Sequence, residues 1–162
     1  KPPCPPSGLH HRAPRITLFG VAPLLPYLAG KTDRLPPQEP VARWEAIKWL
    51  QFHASSVGPI IGQRVNFEVF AKDKIPTVIE RFRHLTESAF TVIDGHLADE
   101  RPYLAGDDYS IADIAHFGWT HIARIIDFGF SQHRHMSAWH ERVAQRPAVR
   151  KGVTLPEPAT GA

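Results

Sequence analysis

YSIADIAHFGW, residues 109–119, decides the fold. Asp113 lies four residues past Tyr109, inside the most apolar stretch of the chain. Ser110 precedes it by three positions, the spacing of a capping box. The serine hydroxyl takes a first-turn N–H, and the carboxylate reaches back to the Ser110 N–H. Asp113 is also negative at the positive end of a helix dipole. The rival role is a catalytic acid or metal ligand, but the preference of such residues for caps favours the structural one. Tyr109 and Ile114 flank the cap as a hydrophobic staple. The helix that follows, SIADIAHFGWTHIARIIDF (110–128), is apolar nearly all round. Such a helix belongs at the centre of a bundle.

Working outward, PVARWEAIKWLQFHASS (40–56) enters on Pro40, where a missing N–H costs nothing. Trp44, Ile47, Leu50 and His53 recur there at helical spacing. Gly58-Pro59 marks a kink or restart. In residues 75–99, Ile75, Val78, Ile79, Phe82, Leu85, Ala89, Val92 and Ile93 trace one apolar face. HMSAWHERVAQ (135–145) predicts a shorter helix. No stretch alternates with period two, so the expected class is all-α, a helical bundle.

The N-terminal forty residues read differently. Residues 1–15 hold five prolines and no apolar period, which predicts a disordered segment. In ITLFGVAPLLPYLAGK (16–31), Pro23 and Pro26 predict short turns at best. TDRLPPQEP (32–40) reads as a linker and 153–162 as a tail. The expected organisation is therefore a disordered 1–15, a segment 16–39, a helical domain 40–152 and a tail 153–162.

Composition excludes several classes. The formal charge of +3 is too small to argue for nucleic acid, and the basic residues form no long run. No run of 18 apolar residues offers a membrane span. Cys4 is the single cysteine, so no internal disulfide forms and a reducing, cytoplasmic compartment is expected. His116 and His121 are five apart, His133 and His135 two, and His135 and His140 five. None matches the i, i+4 spacing of a helical metal pair, so no metal is expected. Arg142, Arg146, Arg150 and Lys151 make a basic end, suited to a helix C-terminus or to an anionic partner.

The run YLAGDDYSIADIAHFGW resembles the signature of the C-terminal domain of cytosolic glutathione transferases. RWEAIKWLQF, GPIIGQRVNF and AWHERVAQRPAV follow the order of its bacterial Nu-class, disulfide-reductase-like branch. The resemblance covers about residues 16–152. It implies a protein that uses glutathione as co-substrate to attack electrophiles or disulfides. It also implies a preceding thioredoxin-like domain, whose last helix this chain matches at Tyr27-Leu28-Ala29. Where the family places the Glu-Ser pair that holds glutathione, this chain has Gly20-Val21. The expectation is therefore a C-terminal second-substrate and dimer domain without the glutathione site, from a fragment or a damaged reading frame. No catalytic residue is assigned, glutathione is not expected to bind this chain tightly, and the chain alone is expected to be inactive. A homodimer is one possible assembly, with no nucleic-acid or membrane partner.

GPIIGQRVNF lies where relatives line the cleft between domains. Gln63 offers an amide, Arg64 a fixed charge and Phe67 an aromatic wall, suited to a small anionic or aromatic substrate. The same residues also suit a helix break with ordinary surface polars. Trp119 either faces that cleft or fills the core. A non-catalytic protein-interaction module is the alternative function, since fold alone does not fix function. In either case the surface that would meet the preceding domain is expected to be exposed and partly apolar.

Overall fold

The computed structural model describes residues 10–13, 16–32 and 39–155. Most of what was expected to be disordered or linker, and the end of the tail, lies outside those residues. Two strands, β1 (His10–Ala13) and β2 (Ile16–Phe19), pair antiparallel with His10 opposite Phe19 and Ala13 opposite Ile16. Part of the segment expected to be disordered is thus a hairpin. Strands of four residues are too short to show a period-two pattern beside prolines.

The prolines of 21–32 do not prevent a helix. Gly20, at φ 82°, turns the chain from β2 into α1 (Val21–Thr32). Pro23 falls in the first turn, where the N–H has no intrahelical partner to lose. Only Pro26 removes a hydrogen bond, and burial of Leu24 and Ala29 against the bundle offsets that loss. The expectation of turns treated both prolines as interior.

Residues 40–70 form one continuous helical run with two wide turns. It comprises α2 (Pro40–Phe52), a π turn at His53–Val57, α3 (Gly58–Val65) and a second π turn at Asn66–Phe70. The Glu39 carboxylate caps α2 by accepting from the Ala42 N–H at 2.8 Å. Pro59 cannot donate to residue 55 and its ring crowds that carbonyl; the first π turn relieves both. The buried face of α2 is Ala46, Trp49 and Leu50, whereas Trp44 is 69% exposed. Of the predicted face, Leu50 and His53 are buried and Ile47 partly so, and only Trp44 lies outside.

α4 (Pro76–His96) buries Thr86, Ala89, Phe90 and Ile93, and leaves Val92 outside. α5 (Ile111–Ile125) is the central helix and packs on α1, α2, α3 and the next helix. That next helix, α6 (Arg134–Ala144), is followed by α7 (Pro147–Gly152). The capping box at Ser110 is closed. Asp113 Oδ2 accepts from the Ser110 N–H at 2.9 Å, and the Ser110 hydroxyl accepts from the Ala112 N–H at 3.2 Å. No helix among the described residues is long and apolar enough to cross a membrane.

Candidate functional site

Trp119 is positioned by two glycines. A Cβ on Gly58 would lie 3.1 Å from its Nε1, and one on Gly62 would lie 3.2 Å from its six-membered ring. Their i, i+4 spacing opens one flat strip on α3, and the indole of α5 lies in it. The half-buried ring therefore packs on α3 and also walls a cavity of about 340 Å³ under the start of α1. Pro23, Leu50, His53, Gly58 and Pro59 are among its other walls.

The other three predicted residues face elsewhere. Gln63 is exposed. Arg64 is buried, and its Nη1 donates to the Phe128 carbonyl at 3.2 Å while its Nε meets Glu68 at 3.0 Å. Its guanidinium also lies 3.7 Å above the Phe128 ring. Glu68 is shared with Arg83, and although burial works against its charge the two arginines hold its carboxyl below the usual range. Phe67 stacks on Phe82 of α4, ring centres 5.9 Å apart. Gln63, Arg64 and Phe67 do not line the Trp119 cavity. Arg64, three residues after buried Ile61 and four before Glu68, is a buried, paired charge and does not face the cavity as a substrate cation.

Histidines supply what in-helix spacing missed. The His53 and His116 rings, on different helical segments, are 5.4 Å apart. His116 is fully buried, and its Nδ1–H donates to the Ala112 carbonyl at 2.9 Å. That bond leaves Nε2 as the unprotonated nitrogen. Burial lowers His116 to about 3 and His53 to about 4, so both rings are neutral near pH 7. Both ring nitrogens of His53, and Nε2 of His116, are buried without a hydrogen-bond partner among the described residues. A second pair, His121 and His140, stacks at 5.4 Å beside Phe117. Arg124 Nη1 donates to His140 Nδ1 at 3.3 Å, and burial first, then Arg124, lowers His140 to about 4.

A larger groove, about 670 Å³, runs between α5 and α7. Ile114, Phe117, Val149 and Val153 give it apolar walls. Arg146 stands at one end, 3.8 Å above the Tyr109 ring, with Nη1 3.4 Å from the Tyr103 hydroxyl. Burial pushes Tyr109 up to about 12. Arg142 donates to the Pro102 carbonyl at 2.8 Å. Two of the four basic residues at this end thus hold the loop before α5.

Residues 70–147 match the model of the glutathione S-transferase C-terminal domain. The chain carries that domain. It is 33% identical over 134 residues to the disulfide-bond oxidoreductase YfcG of Escherichia coli, covering 83% of this chain and 62% of YfcG. It is 32% identical to YghU of the same organism, covering 88% of this chain and 52% of YghU. A Burkholderia graminis glutathione transferase, solved with two glutathione molecules per subunit, superposes with a TM-score of 0.80 at 30% identity. The match covers 90% of this chain and 64% of that one. A Pseudomonas putida transferase with bound glutathione disulfide gives 0.79 at 32% identity, over 87% and 64%. The chain thus spans roughly half to two thirds of the length of these relatives. The glutathione S-transferase-like family it belongs to includes disulfide oxidoreductases.

Proposed function

We propose that this chain is the second-substrate lobe of a glutathione-dependent transferase or disulfide reductase. The observation that carries the reading is the cavity that Trp119 of the central helix closes together with the start of α1. The cavity takes the electrophile or disulfide, and the thioredoxin-like lobe sits on the side of β2 and α1, where residues 20–23 wall that cavity. Within residues 16–39, β2 and α1 are then the closing strand and helix of that lobe, ahead of the helical domain 40–152. In the reaction, the glutathione thiol loses its proton and the thiolate attacks. On an electrophilic carbon it forms a thioether as the leaving group departs with its electron pair. On a disulfide it forms a mixed disulfide as the second sulfur leaves as thiolate.

Gly20 and Val21 replace the Glu-Ser pair expected to hold glutathione, so the bound thiol must come from elsewhere. The same replacement favours the second reading, a non-catalytic interaction module. The deciding experiment mixes the 162-residue protein with the thioredoxin-like domain of a family member, glutathione and either 1-chloro-2,4-dinitrobenzene or 2-hydroxyethyl disulfide. The expected result is a one-to-one complex by ultracentrifugation and turnover that falls on Trp119→Ala, with none from the chain alone. A complex without turnover on either substrate selects the interaction module. Turnover by the chain alone, or no complex, overturns the proposal.

A further inference from the structure

The wall of the Trp119 cavity that no apolar contact explains is His53. It is 6% exposed, yet neither ring nitrogen has a partner among the described residues. Leaving buried polar groups unpaired is costly, and proteins normally avoid it. Here the unpaired groups cluster. His116 Nε2 is a buried lone pair on the neighbouring ring, fixed in that state by the Nδ1–H bond to Ala112. Trp49, whose ring centre is 5.8 Å from that of His116, has an unpaired buried N–H as well. The backbone is also unusual at this point, because the π turn begins at His53 itself. Single π turns inside α-helices recur at functional sites.

We infer that His53 is the hydrogen-bonding anchor of the Trp119 cavity and selects a small, neutral aromatic ligand bearing a hydroxyl group. A neutral imidazole offers one N–H and one lone pair, and a hydroxyl, donor and acceptor at once, can pair with whichever of them faces the cavity. A carboxylate would lack its counter-charge, because among the described residues the cavity lining contains no lysine or arginine. The apolar remainder of the wall and the face of Trp119 suit an aromatic ring. The volume of about 340 Å³ lies at the small end of ligand sites, which limits the ligand to one or two rings. The inference names the substrate class of the cavity and rests on the second-substrate reading of it.

The test uses the 162-residue chain with 4-methylphenol as probe, toluene as the analogue without the hydroxyl, and 4-methylbenzoate as the anion. Binding is followed by Trp fluorescence and by the ¹⁵N shifts of the His53 ring. The expected result is that 4-methylphenol binds at least 10-fold more tightly than either analogue and moves the His53 resonances. His53→Phe should bring phenol and toluene to parity. Ala54→Leu, which narrows the cavity without touching the His53 ring, should weaken both ligands together and serves if His53→Phe does not fold. Equal affinity for phenol and toluene in the unmutated chain, or unmoved His53 resonances at saturation, overturns the inference. Neither readout needs glutathione, so phenol binding without turnover in the mixed assay would sink the transferase reading alone.

Discussion

The indole N–H of Trp139 donates to Asp113 Oδ1 at 2.8 Å, tying α6 to the first turn of the central helix. The same carboxylate accepts from the Leu104 N–H at 3.0 Å, the Ser110 N–H at 2.9 Å and the Ser110 hydroxyl at 3.1 Å. Asp113 is fully buried, and burial pushes its carboxyl up while the four donors pull it back. The capping aspartate is therefore the joint of three segments, the loop at 104, α5 and α6. Asp113→Ala should cost about 3–5 kcal/mol, since it strands buried donors on all three. Trp139→Phe should cost about 1.5–3 kcal/mol for a hydrogen bond to a charged acceptor. Urea unfolding of both singles and the double variant checks the link. Additive losses would mean the two residues do not share an interaction.

That joint was half legible in the sequence. Ser110 and Asp113 lie within one helical turn, so spacing alone predicts their bond. Trp139 is 26 residues on, and no local rule places it there. The same division runs through the molecule. The apolar face of α4 was readable through Phe82, Leu85, Ala89 and Ile93 because one helix fixes their period. The His53–His116 pair was not, because in-helix spacing is blind to neighbours on different helices. The exposure of Trp44 near the start of α2 was not legible either, because helical period alone does not say where along a helix the bundle begins to cover it. For α1, the missing step was to ask where in the helix each proline falls.

Gly58 and Gly95 should respond oppositely to alanine. A Cβ on Gly95 meets nothing within 4 Å, so Gly95→Ala should stabilise α4 by about 0.5–1 kcal/mol through helix propensity. A Cβ on Gly58 meets Trp119 at 3.1 Å and the His53 carbonyl at 3.4 Å. Gly58→Ala should therefore destabilise by about 1–3 kcal/mol despite the same propensity gain. Thermal unfolding reads both signs, and a stabilising Gly58→Ala would refute the close packing of Trp119 on α3.

Arg64 should behave as a structural residue and not as a ligand group. Arg64→Ala leaves the Phe128 carbonyl unpaired and removes a cation from the Phe128 ring, at an expected cost of about 2–4 kcal/mol. Arg64→Lys should recover only part, because an ammonium cannot serve the ring, the carbonyl and Glu68 together in one plane. Guanidinium unfolding gives the stabilities. Affinity of the Trp119 cavity for 4-methylphenol should change less than twofold in Arg64→Lys, and a larger loss would return Arg64 to the ligand site.

Acid should unfold the domain from histidines before carboxylates. His53 and His140 are lowered to about 4 and His116 to about 3, against about 6.5 in an unfolded chain. Between those values the unfolded state binds more protons than the folded one, so stability rises with pH across the window. The stabilisation is complete above pH 6.5 and is lost as pH falls towards 4. At pH 5 each ring is about 1.5 pH units below its unfolded value, a penalty of about 2 kcal/mol apiece. Three such rings approach the whole stability of an ordinary domain, about 5–15 kcal/mol. The urea midpoint should therefore fall steeply from pH 7 to pH 5, where ordinary carboxylates are still ionised. His140→Phe keeps an aromatic ring beside Phe117 and Phe130 and should flatten that slope by about a third. A midpoint that stays level down to pH 5 would mean that these rings take up protons in the folded state, and that their burial is not what holds them neutral.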